Sequence, residues 1–533
     1  MSRFYKLIIF LMVSIMIILS ASENFTVSQE VNNTSSNDSD NISFNLSSQI
    51  NETINSTTYK HSSWGILVQD QETGEIIYDK NSQDLFVPGS TTKLFITAAV
   101  LDNFGSDYRF KTPVYYNGEI DSEGVLNGDL ILVASGDMTM GGRNTPDGKM
   151  AFKHIDHSYA NTLGNANLTS TDPLTGINDL ARQVKSSGIN EIQGNVIIDD
   201  RLFEKTMAPT GEYLITPIMI NDNLIDLEIV PGKNGENATI NWRPKSSIYT
   251  LSSRVETITS GENNITVNFD GETIQVEGQI LENSPPIIRT ITVEDPSSWA
   301  RTLFMEALKR EGVQINASKG GKNPQELLNN TTYAENQQVA SFTSLPLSEN
   351  IKVILKLSHN IQADTLVLLL AANNGQKTFS EGMQLEGNFL ENSGIERNSL
   401  ALSDGRGGSE SDRISPLAMN QLLNLVQDKT YFSAYYESLP VMGYDGTLEG
   451  VVSNNSSIYG NVYAKTGTAI AEDKLNNRGI LLSQSMAGYM VTKSGRKLIF
   501  SIFINNVPLE KEGDNLLIEE DIFQILEKIY EIV

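Results

Sequence analysis

Three short runs stand in one order along the chain: Pro88-Gly89-Ser90-Thr91-Thr92-Lys93, Ser358-His359-Asn360 and Lys465-Thr466-Gly467-Thr468. Singly they carry little, because Ser-x-x-Lys needs only two common residues. Together they hold what acyl transfer through a serine requires when lysine takes the place of histidine. A serine hydroxyl is a poor nucleophile until its proton is removed. Lys93 follows Ser90 by one helical turn and shares its face, so the amine can reach the hydroxyl. Only a neutral amine can act as base, and free lysine titrates near about pH 10.4. Burial and a second cation, for which Lys465 is the candidate, would lower that value. Ser358 is suited to relay a proton to the leaving group, and Asn360 to hold Lys93 or a substrate amide. Gly467 lets a ligand lie close against a strand, with Thr466 and Thr468 beside it. The backbone N–H groups of Ser90 and Thr468 are the oxyanion-hole candidates, helped by the N-terminal end of the Ser90 helix.

Context separates these runs from look-alikes. Ser494-Gly495-Arg496-Lys497 is also Ser-x-x-Lys, and Lys493-Ser494-Gly495 resembles the third run, but both fall in a tight turn between two strand patterns. Ser348-Glu349-Asn350 reads as the start of a helix. Ser90 alone would read as a helix cap, and the ordered partners reverse that reading. Competing sites are weaker. His154 and His157 supply two metal-ligand types with no third evident, so a polar loop is expected and no metal is assigned. His359 lacks the acid partner of a Ser-His-Asp triad. No phosphate loop or dinucleotide fingerprint is present, and no cofactor is implied.

The elements needed to position these residues are legible. Trp64–Val68 and Glu75–Tyr78 flank Gln71-Glu72-Thr73-Gly74 and predict a β-hairpin. From Ser90 to Leu101 the chain is apolar on nearly every side, which predicts a buried helix. Positions 348–370 have a helical pattern that runs through the second motif. Ala487–Val491 and Leu498–Asn505 predict strands, and Glu519–Ile532 an amphipathic helix. Hairpin, helix, a long interruption, helices, strands and a closing helix predict an α/β (α+β) catalytic domain built from both ends of the chain. Its antiparallel sheet would carry helices on both faces, over 61–115 and 336–533. The interruption, 116–335, predicts one or two inserted β-rich domains. It includes strands at Leu130–Val133, Gly194–Ile198 and Leu224–Val230, helices at Asn178–Ser186 and Ser298–Glu311, and a separate small sheet over 240–293.

At 533 residues the chain exceeds one ordinary core. Its net charge of -26 argues against nucleic acid or an anionic membrane as partner. Arg3 and Lys6, the apolar run Leu7–Leu19 and Ser20-Ala21-Ser22 have the form of a secretory signal peptide over 1–22, with an uncleaved anchor as the alternative. The chain is thus expected to be secreted or tethered at the cell surface. Residues 23–60 are rich in Asn, Ser and Thr and crowded with Asn-x-Ser/Thr sequons, which predicts a disordered linker. Cysteine is absent, excluding disulfides and a lipidated cysteine.

At this point the chain resembles the low-molecular-mass, class C penicillin-binding proteins, the D-alanyl-D-alanine carboxypeptidases/endopeptidases. The likeness runs from about Trp64 to Asn506. Beyond the three motifs it rests on Gly128-Asp129-Leu130, Gly136-Asp137, Thr292-Val293-Glu294-Asp295-Pro296, Asp404-Gly405, Ile414-Ser415-Pro416, and Leu439-Pro440-Val441 with Gly443-Tyr444-Asp445-Gly446-Thr447-Leu448. The resemblance implies a penicillin-binding transpeptidase/β-lactamase-like fold with inserted domains. It also implies Ser90 acylation by a cell-wall peptide ending in D-Ala-D-Ala, or by a β-lactam, then hydrolysis without metal or cofactor. A β-lactamase or esterase with the same nucleophile, and a non-catalytic cell-surface binding protein, stay open as alternatives. Three departures bear on peptide recognition: Glu410 replaces a usual arginine, Asp364 a usual glutamate, and Met138 a common proline. Nothing in the sequence fixes an oligomeric state.

Overall fold

The structure is a computed structural model that describes residues 35–533 apart from 165, 319, 329–330 and 512. The expected signal peptide, 1–22, and the first part of the expected linker lie outside the described residues. A six-stranded antiparallel sheet forms the catalytic domain, in the order Val462–Asp473, Arg478–Val491, Lys497–Asn505, Ser63–Asp70 and Ile76–Lys80, with Val507–Leu509 paired to Arg478–Val491. The first hairpin thus pairs with strands more than 400 residues later, through Trp64 against Ile504 and Ile66 against Ile502.

Strand periodicity builds the two faces. Along Lys497–Asn505, Leu498, Phe500, Ile502 and Ile504 enter one core, while Ile499 and Phe503 enter the other. The first core is covered by the C-terminal helix Asp514–Ile532 through Ile518, Ile522, Ile525, Leu526 and Ile529. The second holds the helices Lys93–Phe104, Leu347–Leu357, Asn360–Asn373 and Pro416–Gln427. Lys93–Phe104 is buried from Lys93 to Leu101, so the all-round apolar pattern means what it predicted. Gly105, at φ 81°, ends it.

Two expectations are corrected. The disordered linker does not extend through 35–60: Ser35–Ile54 is a helix whose Leu46, Ile50 and Ile54 are buried against the C-terminal helix. Three apolar residues at i, i+4 and i+8 form a stripe that the polar composition concealed. Lys528 fixes the pair by donating to Gln49 O (3.0 Å) and Thr53 Oγ1 (2.9 Å). The insertion boundaries also move. Lys111–Ile120 and Gln338–Thr343 pair with each other and belong to the insertion's sheet, so the catalytic segments end near Phe110 and resume near Ser344.

The inserted module contains a six-stranded mixed sheet backed by the helices Thr175–Ser186 and Pro296–Arg310. The segment expected to form one small sheet forms parts of two. Thr239–Arg243 and Ile287–Thr292 flank Leu224–Val230, while Thr250–Ile258 and Asn264–Phe269 flank Thr273–Leu281. Both three-stranded sheets share the apolar core of the module.

Candidate active site

Ser90 sits in a 3-10 turn, Gly89–Thr92, that runs directly into the helix beginning at Lys93. Lys93 Nζ lies 2.9 Å from Ser90 Oγ, 2.8 Å from Asn360 Oδ1 and 2.9 Å from the carbonyl oxygen of Arg406. The two carbonyl-type oxygens can only accept. A neutral amine has two N–H groups and one lone pair, so Asn360 and Arg406 take the hydrogens and the lone pair faces the Ser90 hydroxyl. That is the arrangement a general base needs.

The electrostatics agree. Lys93 is fully buried, and burial pulls its titration from the ordinary lysine value down to about 7. Asp364 and Asp404 oppose that shift, and Arg406 adds to it. Arg406 is thus a cation acting on Lys93 beside the Lys465 that the sequence offered. Repulsion between the two lysines is mutual, and burial first and Lys93 second hold Lys465 well below the usual lysine range. Lys465 donates to Ser358 Oγ (2.9 Å) and Thr466 O (2.7 Å).

The second motif does not lie within one helix, as the 348–370 pattern suggested. Leu347–Leu357 stops at Ser358, which has φ 61° and ψ 37°, and a new helix starts at Asn360. The break is what turns Ser358 towards Lys465 and Asn360 towards Lys93 from positions only two apart. His359, between them, is buried and faces away, with Nε2 3.4 Å from Asp222 Oδ2 and 3.7 Å from Asp156 Oδ1. It therefore has acid neighbours that the sequence did not show, but they belong to the inserted module.

The third motif lies on Val462–Asp473, with Lys465 buried and Thr468 exposed. A Cβ on Gly467 would fall 2.8 Å from Ser90 N, and one on Gly89 3.0 Å from Thr468 N. The two candidate oxyanion donors therefore converge on one small space that only glycines leave open. Ser485 ties the strand to the serine turn, donating to Pro88 O at 2.6 Å. Thr466 Oγ1 pairs with Thr447 Oγ1 at 2.9 Å, and Thr468 Oγ1 donates to Gln484 Oε1 at 3.0 Å.

Residue-type reading missed the acceptor supplied by Arg406, because it is a backbone carbonyl. Asp404 fixes that carbonyl by accepting from the N–H groups of Arg406 (3.0 Å), Gly407 (2.5 Å) and Gly408 (3.0 Å). Asp364 accepts from Gly405 N (3.0 Å) and Tyr213 Oη (2.7 Å), tying the same loop to the inserted module. The run Asp404-Gly405-Arg406-Gly407-Gly408 was the available signal. The Arg406 side chain points away from Ser90, to Glu212 and Thr210 and over the Tyr213 ring at 5.4 Å. It is not a free cation standing in for the arginine that Glu410 displaces. Arg413 is tied to the carbonyls of Glu410 and Asp412.

The look-alikes fall where the sequence put them. Ser494 and Gly495 form the turn between Arg478–Val491 and Lys497–Asn505, and Ser348 lies in the first turn of Leu347–Leu357. Of the polar loop expected around His154 and His157, His154 is exposed as expected, with Nδ1 2.9 Å from Gly446 O, whereas His157 lies in a buried ionic cluster. Among the described residues Asp156, His157 and Asp222 form the one group of metal-ligand types close enough to share an ion. Arg143 Nη2 bridges it, 3.0 Å from Asp156 Oδ1 and 2.7 Å from Asp222 Oδ2. His157 Nδ1 lies 2.6 Å from Asp226, and Arg243 Nε donates to Asp226 at 3.0 Å. Burial disfavours the charged imidazole, but Asp226 and Asp156 outweigh it and push His157 up to about 10. Three carboxylates thus meet two guanidinium groups and the His157 ring, with His359 beside Asp222 and Asp156.

A family model described as the D-Ala-D-Ala carboxypeptidase 3 (S13) family matches residues 46–528. The chain is 25% identical over 467 residues to the D-alanyl-D-alanine carboxypeptidase of Actinomadura sp. (strain R39), covering 83% of this chain and 77% of that one. It is 25% identical over 465 residues to the D-alanyl-D-alanine carboxypeptidase DacB of Haemophilus influenzae, covering 83% of this chain and 85% of that one. Among solved structures, penicillin binding protein 4 (dacB) of Haemophilus influenzae superposes with a TM-score of 0.66 at 22% identity, over 91% of this chain and 99% of that one. That likeness bears on the fold, and it agrees with a penicillin-binding, β-lactamase-like architecture.

Proposed function

The chain belongs to the D-Ala-D-Ala carboxypeptidase 3 (S13) family, and from that premise we propose that it hydrolyses cell-wall peptides ending in D-Ala-D-Ala through an acyl-enzyme on Ser90. The enzyme is a serine-type D-Ala-D-Ala carboxypeptidase, a hydrolase of the penicillin-binding class. The finer reading concerns which residues act and on what. Lys93 takes the Ser90 proton as Oγ attacks the penultimate D-Ala carbonyl. The N–H groups of Ser90 and Thr468 hold the developing oxyanion. Ser358, supported by Lys465, passes a proton to the departing D-Ala amine. It receives in turn the proton Lys93 took, which leaves Lys93 neutral again, and Asn360 keeps Lys93 in line. Water then attacks the ester as neutral Lys93 takes its proton, the ester C–O bond breaks to release the acid, and Lys93 returns that proton to Ser90 Oγ.

The observation that carries this reading is the three-way contact of Lys93, with two carbonyl-type acceptors leaving its lone pair to Ser90. An exported location follows from the substrate, since cell-wall peptides lie outside the cytoplasm, and it agrees with the N-terminal signal pattern. Fluorescent penicillin tests the nucleophile: wild type should be labelled covalently and Ser90→Ala should not. Equal labelling of both proteins overturns the assignment. Peptidoglycan fragments test the substrate, with free D-alanine marking carboxypeptidase action and split cross-links endopeptidase action. Rapid loss of the penicillin label without either product would instead mark a β-lactamase.

A further inference from the structure

Ser358 is a left-handed non-glycine residue at the catalytic centre. Such a conformation persists only when its surroundings over-determine it. Two of the restraints are local: the backbone N–H of Ser358 donates to Ile354 O, and so does that of His359, at 3.0 Å. A third is the Lys465 contact with its Oγ, at 2.9 Å. The fourth comes from the inserted module. Tyr159 donates its hydroxyl to the Ser358 carbonyl at 2.5 Å, across 199 positions of sequence.

Tyr159 is placed for this by its neighbours. It closes the 3-10 turn His157–Tyr159, whose cap Asp156 accepts from Ser158 N and is clamped by Arg143. The loop, and Asp222 that binds its His157, are anchored to the motif's helices on either side. Met150 N donates to Glu349 at 2.8 Å, the Met150 side chain packs on Val353 and Leu357, and Gln362 donates to Asp222 at 2.9 Å. Burial, then Asp156, raises the Tyr159 phenol, so the hydroxyl keeps its proton throughout the working range.

We propose that Tyr159 is a positioning residue for acylation: its hydroxyl holds the Ser358 carbonyl and so keeps Ser358 in the left-handed conformation that aims Oγ at Lys465. The inserted module is thereby part of the acylation machinery although it contributes none of the three motifs. This rests on the role proposed above for Ser358. Without the phenol the carbonyl loses its donor, and Ser358 can leave the left-handed region and carry Oγ away from Lys465. Tyr159 touches neither Ser90 nor Lys93 among the contacts of that pair, so the expected defect lies in the rate of acylation.

The test uses the full chain and fluorescent penicillin under rapid mixing, with Tyr159→Phe, Ser358→Ala and the double variant. Tyr159→Phe should lower the saturating acylation rate about tenfold or more while the half-saturating concentration stays within about twofold. In the Ser358→Ala background the same change should cost less than about twofold, because the residue it acts through has lost its hydroxyl. Melting curves accompany each variant. A Tyr159→Phe rate within twofold of wild type overturns the inference. So does an equal loss in both backgrounds, with or without a lower melting temperature, since that marks a general structural role. An unlabelled wild type would instead overturn the Ser90 reading and this inference with it.

Discussion

Substituting Asn360 by aspartate puts a carboxylate where an amide oxygen now lies 2.8 Å from Lys93 Nζ. The change is nearly isosteric, so its effect is electrostatic. In the wild type, burial brings Lys93 to about 7, so about half of it is neutral at pH 7, against roughly one molecule in a few thousand for an ordinary lysine. An adjacent carboxylate typically moves such a group by about 1–3 units towards the charged form, worth roughly 1.4–4 kcal/mol. The acylation rate of Asn360→Asp at pH 7 should then fall between about fivefold and five-hundredfold. The sign is set by the base: only neutral Lys93 acts, so the rate rises with pH, and the variant's limb shifts alkaline. The assay is the second-order rate of fluorescent penicillin acylation from pH 5 to 10.5, on enzyme whose folding is checked by circular dichroism at each pH. Wild type should rise with a midpoint of about 7, and the variant should approach it above about pH 10. A loss of equal size at every pH, or a limb that does not move, would refute the claim that Asn360 tunes the proton affinity of Lys93.

Three further outcomes follow from the packing. Gly407 has φ +84°, and an added Cβ would come within 1.9 Å of Gly89 O. Gly407→Ala should therefore displace the Ser90 turn and lower acylation about a hundredfold, and near-normal acylation would show that the turn tolerates the shift. Glu386 is buried with neither side-chain oxygen hydrogen-bonded, and burial raises it to about 8. Its contribution is fully present below the unfolded value, about 4.3, and is lost as pH rises through about 8. Glu386→Leu should gain stability over wild type by roughly 2 kcal/mol more at pH 9 than at pH 6, measured by denaturant unfolding, and an unchanged gap would refute this. Leu46 and Ile50 are fully buried, so each alanine substitution should cost about 2 kcal/mol in the same assay, whereas a disordered linker would show no loss.

What was legible in the sequence was whatever depends on local order. The three motifs, the buried Ser90 helix, the strand predicted over Leu498–Asn505 and the long interruption before Ser358 are all properties of neighbouring residues. They were enough to identify the chemistry and the fold class. The helix at Ser35–Ile54 escaped because three apolar residues among many polar ones gain their stability only from Asp514–Ile532, nearly the whole chain away. The role of Arg406 escaped because its useful atom is a carbonyl, identical in every residue type, and the folded loop held by Asp404 and Asp364 fixes where it points.

The sequence by itself determined which residues could act: Ser90, Lys93, Ser358, Asn360 and Lys465 were present with the right chemistry in the right order. Tertiary structure alone decided what each one meets. Burial, not composition, brings Lys93 near neutrality, and the break at Ser358 turns residues two positions apart, Ser358 and Asn360, to different lysines. A tyrosine on the inserted module reaches the centre because an ionic cluster of Arg143, Asp156, His157 and Asp222 locks that module against the motif's helices. Such contacts join residues tens to hundreds of positions apart. Their energies depend on distance and desolvation, quantities that exist only once the chain has folded.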